Sequence, residues 1–199
     1  MLQIVVPFRG ARGKQRVDAP AHVRAELALA MLGDVVAAAV ASGRTLVVTE
    51  DAAAQSLAGE LGAEPLEDPG GGQGAAVAAA LGRVDDAQPV LVVNADLPCV
   101  VPHDLRVLAG AAELGALGYV EAADGTTNAL ALPDASVFAP LYGAASAARF
   151  RDHAQAVGVT AIACAIPNIA DDVDTLEDLD RIGLRAGPRT QAALGRVLG

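Results

Sequence analysis

Short apolar runs alternate along this chain with longer stretches of helical character, and that alternation restricts the fold more than any other feature. Runs at residues 2–7, 45–49, 90–94, 118–122, 129–132 and 160–166 read as strands. Helical patterns lie between them at 22–41, 52–61, 74–81, 102–113 and 146–157, with a last one at 176–182. Strands that alternate with helices pair in parallel and are covered by helices on both faces. The expectation is an α/β chain with a mostly parallel sheet. Its 199 residues suit a single domain, 1–199, built on one substantial core. The Gly70-Gly71-Gly72 run reads as a loop, and the tail after Gly187 as a loosely attached end.

Composition narrows the function. Hydrophobic residues make up 53% and aromatics only 3%, so the core must come from Ala, Val, Leu and Ile. No stretch approaches the ~18 consecutive apolar residues of a membrane span. The N-terminus lacks a signal-peptide pattern, because Ile4-Val5-Val6 runs straight into a basic segment. Cys99 and Cys164 have no metal spacing and form no disulfide framework, which fits a reducing cytoplasm. A net charge of −10 argues against a nucleic-acid surface. It leaves room for a small anionic ligand, since Arg9, Arg12, Lys14 and Arg16 fall in one short segment.

In open α/β sheets, ligands bind beyond the carboxyl ends of the strands, and four segments there bear chemistry. Pro7-Phe8-Arg9-Gly10-Ala11-Arg12-Gly13-Lys14-Gln15-Arg16 follows the first strand. Its glycines expose backbone N–H groups and its cations suit a phosphate chain, though the spacing is not that of a Walker A loop. A solvated basic loop is the plainer alternative. In Val92-Val93-Asn94-Ala95-Asp96-Leu97-Pro98 a buried strand delivers Asp96, either as a turn residue or as a magnesium ligand. In Asp171-Asp172-Val173-Asp174-Thr175-Leu176-Glu177-Asp178, Thr175 reads as a helix N-cap. Extended alternation ahead of that helix would point Asp172 and Asp174 the same way, as metal carboxylates. Last, Thr126-Thr127-Asn128 forms a polar knot, and Ser146 after Tyr142-Gly143-Ala144-Ala145 reads as an N-cap beside an anion-binding helix start. His22, His103 and His153 have no ligand or triad spacing.

Taken together, these segments resemble the phospholactate/phosphoenolpyruvate guanylyltransferases of deazaflavin coenzyme biosynthesis. The resemblance runs on Val6-Pro7-Phe8-Arg9 with Lys14-Gln15-Arg16, Asp96-Leu97-Pro98, Thr127-Asn128-Ala129-Leu130, Tyr142-Gly143-Ala144-Ala145-Ser146 and Asp172-Val173-Asp174-Thr175. Three departures stand out. Leu176 replaces a usual proline, Ala144-Ala145 replace a common Pro-Gly, and Gly72-Gln73-Gly74 stands where Gly-Leu-Asn is usual.

The resemblance implies a Rossmann-like, GT-A-type nucleotidyltransferase fold and a single nucleotidyltransferase domain. It implies GTP and a small phosphorylated carboxylic acid as substrates, with one or two Mg2+ ions. Arg9, Lys14 and Arg16 would hold the triphosphate, with Gly72 and Gly74 beside the base. Asp96 and Asp174, with Asp172, would hold the metal. Thr127, Asn128, Gly143 and Ser146 would face the acceptor. Two other readings remain: a nucleotidyltransferase loading a sugar phosphate or a pterin cofactor, and a non-catalytic nucleotide-binding regulator. Neither the acceptor's identity nor the oligomeric state, a homo-oligomer included, is written in the sequence.

Overall fold

A computed structural model gives the fold, and it describes residues 2–10, 19–85 and 88–198. Strands β1 (Gln3–Pro7), β2 (Arg44–Val48), β3 (Glu64–Leu66), β4 (Val90–Val93), β5 (Leu117–Glu121), β6 (Thr127–Leu132) and β7 (Ala161–Ala163) form one sheet. Their order is β3-β2-β1-β4-β6-β5-β7. All neighbouring pairs are parallel except those of β6, which runs antiparallel to β4 and β5.

Helices α1 (Ala21–Val40), α2 (Ala52–Glu60), α3 (Gln73–Leu81), α4 (Pro102–Glu113), α5 (Ser146–Ala156), α6 (Pro167–Ala170), α7 (Leu176–Ile182) and α8 (Pro188–Leu198) cover the sheet and its margin. The two-residue period of the strands divides the core in two. Ile4, Val6, Leu91 and Val93 pack with Ala28 and Leu32 of α1 and Leu105 and Leu108 of α4. Val5, Val90 and Val92 face the other way, onto Val77 and Ala80 of α3 and Phe150 of α5. Burial on both faces is why β1 and β4 read as unbroken apolar runs rather than alternating ones.

Three local expectations are corrected. β3, unforeseen, is a short edge strand containing Pro65, tolerated where one side needs no ladder bond. The run at 160–166 pairs only over Ala161–Ala163, because the Ile166 N–H turns back to the Cys164 carbonyl and Pro167 opens α6.

The third correction concerns the tail after Gly187, which is not loose. It forms α8, latched by a carboxylate from α1. Asp34, only 6% exposed, accepts from the backbone N–H groups of Arg189 (3.1 Å) and Thr190 (2.9 Å) and from the Thr190 hydroxyl (2.7 Å). Those N–H groups are first-turn donors that have no partner within their own helix. Leu27, Met31, Cys99, Val173, Leu179, Ile182, Ala186 and Ala193 close a third apolar cluster beneath this latch.

Candidate active site

The carboxyl ends of β1, β4 and the loop before α7 converge at one edge of the sheet. β4 ends at Val93, and fully buried Leu97 anchors the turn that carries Asp96. The loop before α7 reaches the same place through one backbone bond, from the Val173 N–H to the Asp96 carbonyl at 3.1 Å. Val173 itself is fully buried in the third cluster. Its extended neighbours Asp172 and Asp174 must then both point away from that cluster. One oxygen from each of Asp96, Asp172 and Asp174 lies within 4.8 Å of the others, and all three residues are half-buried.

The segment is rigid on its C-terminal side. The Asp178 carboxylate accepts from the Asp174 N–H (3.0 Å), the Thr175 N–H (2.8 Å) and the Thr175 hydroxyl (2.9 Å). The Thr175 hydroxyl in turn accepts from the Asp178 N–H at 3.2 Å, completing a capping box. Asp171 pairs outward with Arg181 and Arg185, and those bonds, Arg185 foremost, hold its carboxyl below the usual range.

Asp172 behaves in the opposite way. Burial first, then the Asp96 charge and more weakly that of Asp174, push its carboxyl up, against a hydrogen bond from Asn128. A carboxyl raised in the folded state binds its proton more tightly than in the unfolded chain. The stability it confers is present below the unfolded value of ~3.9 and is lost as pH rises through the folded one. Near neutrality its charge works against the metal-free fold. Asp172→Asn is therefore expected to raise the metal-free melting temperature at pH 7, an effect that shrinks toward about pH 4. Unchanged melts at both pH values would contradict it.

Two depressions meet at the carboxylates. One, of about 240 Å³, is lined by Phe8, Arg9, Gly10, Gln73, Asn94 and Asp96 among others. The other, of about 320 Å³, is lined by Asp124, Asp171, Asp172, Asp174, Asp178 and Arg181, with two alanines. In the first, the loop after β1 meets the glycine-rich loop before α3. Gly72 has φ +103°, and a Cβ there would stand 2.8 Å from the Arg9 guanidinium. Lys14, Arg16 and Arg12 lie outside the described residues.

Sequence reasoning missed the amides of this cleft. Gln73 donates to the Asn94 side-chain oxygen at 2.7 Å, and Asn94 donates to the Thr127 carbonyl at 3.2 Å. Asn94 ends an apolar strand just before Asp96, a position that could have marked it.

The fourth segment departs from expectation in two respects. Ser146 does not cap α5; the preceding Ala145 does so without a side-chain bond, in a left-handed conformation at φ 54°. The Ser146 hydroxyl instead donates to that of Thr127 at 3.0 Å, and both residues are buried. Asn128, expected beside the acceptor, is 1% exposed and turns its amide toward Ile169, Ala170 and Asp172. Gly143 stays exposed, with the Arg149 guanidinium 3.4 Å from where its Cβ would lie. Burial pushes the Tyr142 phenol well up, which keeps it protonated near neutrality.

Left-handed alanine costs about 1 kcal/mol, partly offset in a glycine variant by the greater freedom of its unfolded chain. Ala145→Gly is expected to raise the melting temperature by about 1–4 °C. A lower melt by circular dichroism would show that the turn is relaxed.

Comparison with known proteins bears on this geometry. A model of the MobA-like NTP transferase domain matches residues 26–166. The phosphoenolpyruvate guanylyltransferase of Streptomyces scabiei is 38% identical, over 98% of this chain and 96% of its own length. That of Roseiflexus castenholzii is 34% identical over 98% and 94%. The chain belongs to the phosphoenolpyruvate guanylyltransferase family. It is a nucleotidyltransferase by that membership.

Its GT-A-type fold is shared with solved structures of low identity. A Desulfovibrio desulfuricans G20 protein classed with nucleotide-diphospho-sugar transferases matches with a TM-score of 0.78, at 15% identity over 98% of this chain and 94% of that one. A 4-diphosphocytidyl-2C-methyl-D-erythritol synthase matches with a TM-score of 0.62, at 15% identity over 92% and 97%. Among the described residues no helix is long and apolar enough to cross a membrane.

Proposed function

We propose that this enzyme transfers GMP from GTP to the phosphate of phosphoenolpyruvate or 2-phospho-L-lactate, releasing pyrophosphate for deazaflavin coenzyme biosynthesis in the cytoplasm. The observation that carries the reading is the gathering of Asp96, Asp172 and Asp174 where two depressions meet. Full-length likeness to named guanylyltransferases supports the choice of substrates.

The donor set fits a hard divalent cation such as Mg2+. Octahedral Mg2+ with oxygens at about 2.1 Å holds them roughly 3.0 Å apart when adjacent and roughly 4.2 Å when opposite. Carboxylates within 4.8 Å of one another need only small side-chain rotations to reach that range. Bound there, a cation would supply charge neutralisation at the transferring phosphate.

The protein's own residues do the rest by placement. Arg9, with Lys14 and Arg16, offsets the triphosphate charge; Gly72 leaves room for the Arg9 guanidinium, and Gly74, expected beside the base, is instead packed on Pro140. Exposed Gly143 stands on the acceptor side, and the buried Thr127–Ser146 pair, expected to face the acceptor, instead fixes the start of α5 beside it. An acceptor phosphate oxygen forms the new bond to the α-phosphorus as the α–β anhydride bond breaks, and pyrophosphate leaves with its electron pair. A phosphomonoester's second pKa is about 6, so the nucleophile is ionised and no base is required. That accords with His22 and His103 being exposed and with His153 lying 3.0 Å from the Val137 carbonyl, away from the carboxylates. Catalysis is then orientation and electrostatics.

The test is product mass spectrometry with GTP, Mg2+ and each phospho-acid, read beside pyrophosphate release. A guanylylated phospho-acid is expected. Pyrophosphate release only with sugar phosphates, or with CTP or ATP in place of GTP, would overturn the assignment.

A further inference from the structure

Asn128 connects both arms of the carboxylate cluster. Its carbonyl accepts from the Asn94 N–H at 3.0 Å, two residues before Asp96. Its side-chain nitrogen faces three acceptors: the Ile169 carbonyl at 2.9 Å, the Ala170 carbonyl at 3.3 Å and Asp172 Oδ1 at 3.4 Å. Only the NH2 end suits such a surrounding, which settles the amide's orientation. The two carbonyls end a four-residue helix, where the last C=O groups lack partners of their own. A side chain 1% exposed has no room to meet a substrate as well.

We propose that Asn128 is a positioning residue for the divalent cation. By its backbone it holds the β4 arm, and by its amide it holds the Asp172 carboxylate in the orientation that shares an ion with Asp96. It acts through Asp172 and touches no reactant. The inference rests on the metal reading above. The contact to Asp172 is long, at 3.4 Å, but its acceptor is a carboxylate, and bonds to charged acceptors are the stronger ones. Outer partners of this kind are typically worth 10–100-fold in metal affinity.

The alternative is that Asn128 only caps α6. Gln3 provides the comparison, being a buried amide at the opposite, amino end of β1 that also bonds backbone on both sides of its side chain. Mn2+ is titrated into wild type, Asn128→Ser and Gln3→Ser, with free ion followed by electron paramagnetic resonance and folding by circular dichroism. Asn128→Thr, which keeps more bulk and strand propensity, serves where the serine variant loses the native spectrum.

Both sites should lose thermal stability, but only the Asn128 variant should bind Mn2+ at least tenfold more weakly. Excess Mg2+ should then restore its pyrophosphate release. Affinity within twofold of wild type in the Asn128 variant overturns the inference, as does an equal loss in Gln3→Ser. Failure of the metal reading is distinguishable, because wild type itself would then bind no Mn2+.

Discussion

Asp96→Asn and Asp174→Asn should each lower guanylyl transfer by at least about 10³-fold, or roughly 4 kcal/mol of barrier, while the protein stays folded. The reasoning is electrostatic. Two polyanionic substrates must enter a chain of net charge −10, and they meet at a point where three carboxylates converge. Without a cation between them, protein and substrates repel one another. An asparagine keeps the shape of either ligand but removes the charge that retains the ion. Relieving repulsion should leave the metal-free melt equal to wild type or above it, whereas the rise in melting temperature on adding Mg2+ should vanish. Turnover within tenfold of wild type at saturating Mg2+ would show that the cluster is not where the reaction occurs.

The second large effect concerns stability. Gly187→Ala should cost about 2–4 kcal/mol and lower the melting temperature by roughly 5–15 °C. A Cβ at Gly187 would stand 2.3 Å from Asp34 Cγ and 2.6 and 2.7 Å from its two oxygens. The carboxylate cannot yield, because it is buried and committed to Arg189 and Thr190. The backbone cannot yield freely either, since the Gly187 N–H donates to the Pro98 carbonyl at 2.7 Å. Moving Asp34 aside would strip α8 of its cap and leave a buried charge short of donors. Thermal unfolding followed by circular dichroism checks the size, and hydrogen exchange should show α8 opening first. A melt within a degree of wild type would mean that α8 tolerates displacement.

These two sites differ in how far they could be read from the chain. The alternation of Asp172 and Asp174 about Val173 is a local pattern, and an extended segment obliges it. Thr175 and Asp178 likewise announce their capping box by spacing alone. The link from Asp34 to Thr190 leaves no such trace, since an aspartate inside a helical pattern ordinarily reads as a solvent-facing charge. Asn128 is a similar case. Its place in a polar knot suggested a binding surface, and only the path of α6 turned it inward. Ser146 failed as a cap because a left-handed Ala145 does not show in residue type.

Residue pattern alone determined the layered α/β architecture, both apolar faces of the central strands and the identity of the acidic side chains able to hold a cation. Tertiary structure decided that β6 runs against its neighbours, that α8 is fastened to α1, and that Asp96 shares a site with Asp172 and Asp174. The reason is range. Periodicity reports what each residue does within its own turn or strand, whereas one backbone bond between Val173 and Asp96 joins segments that local pattern never relates.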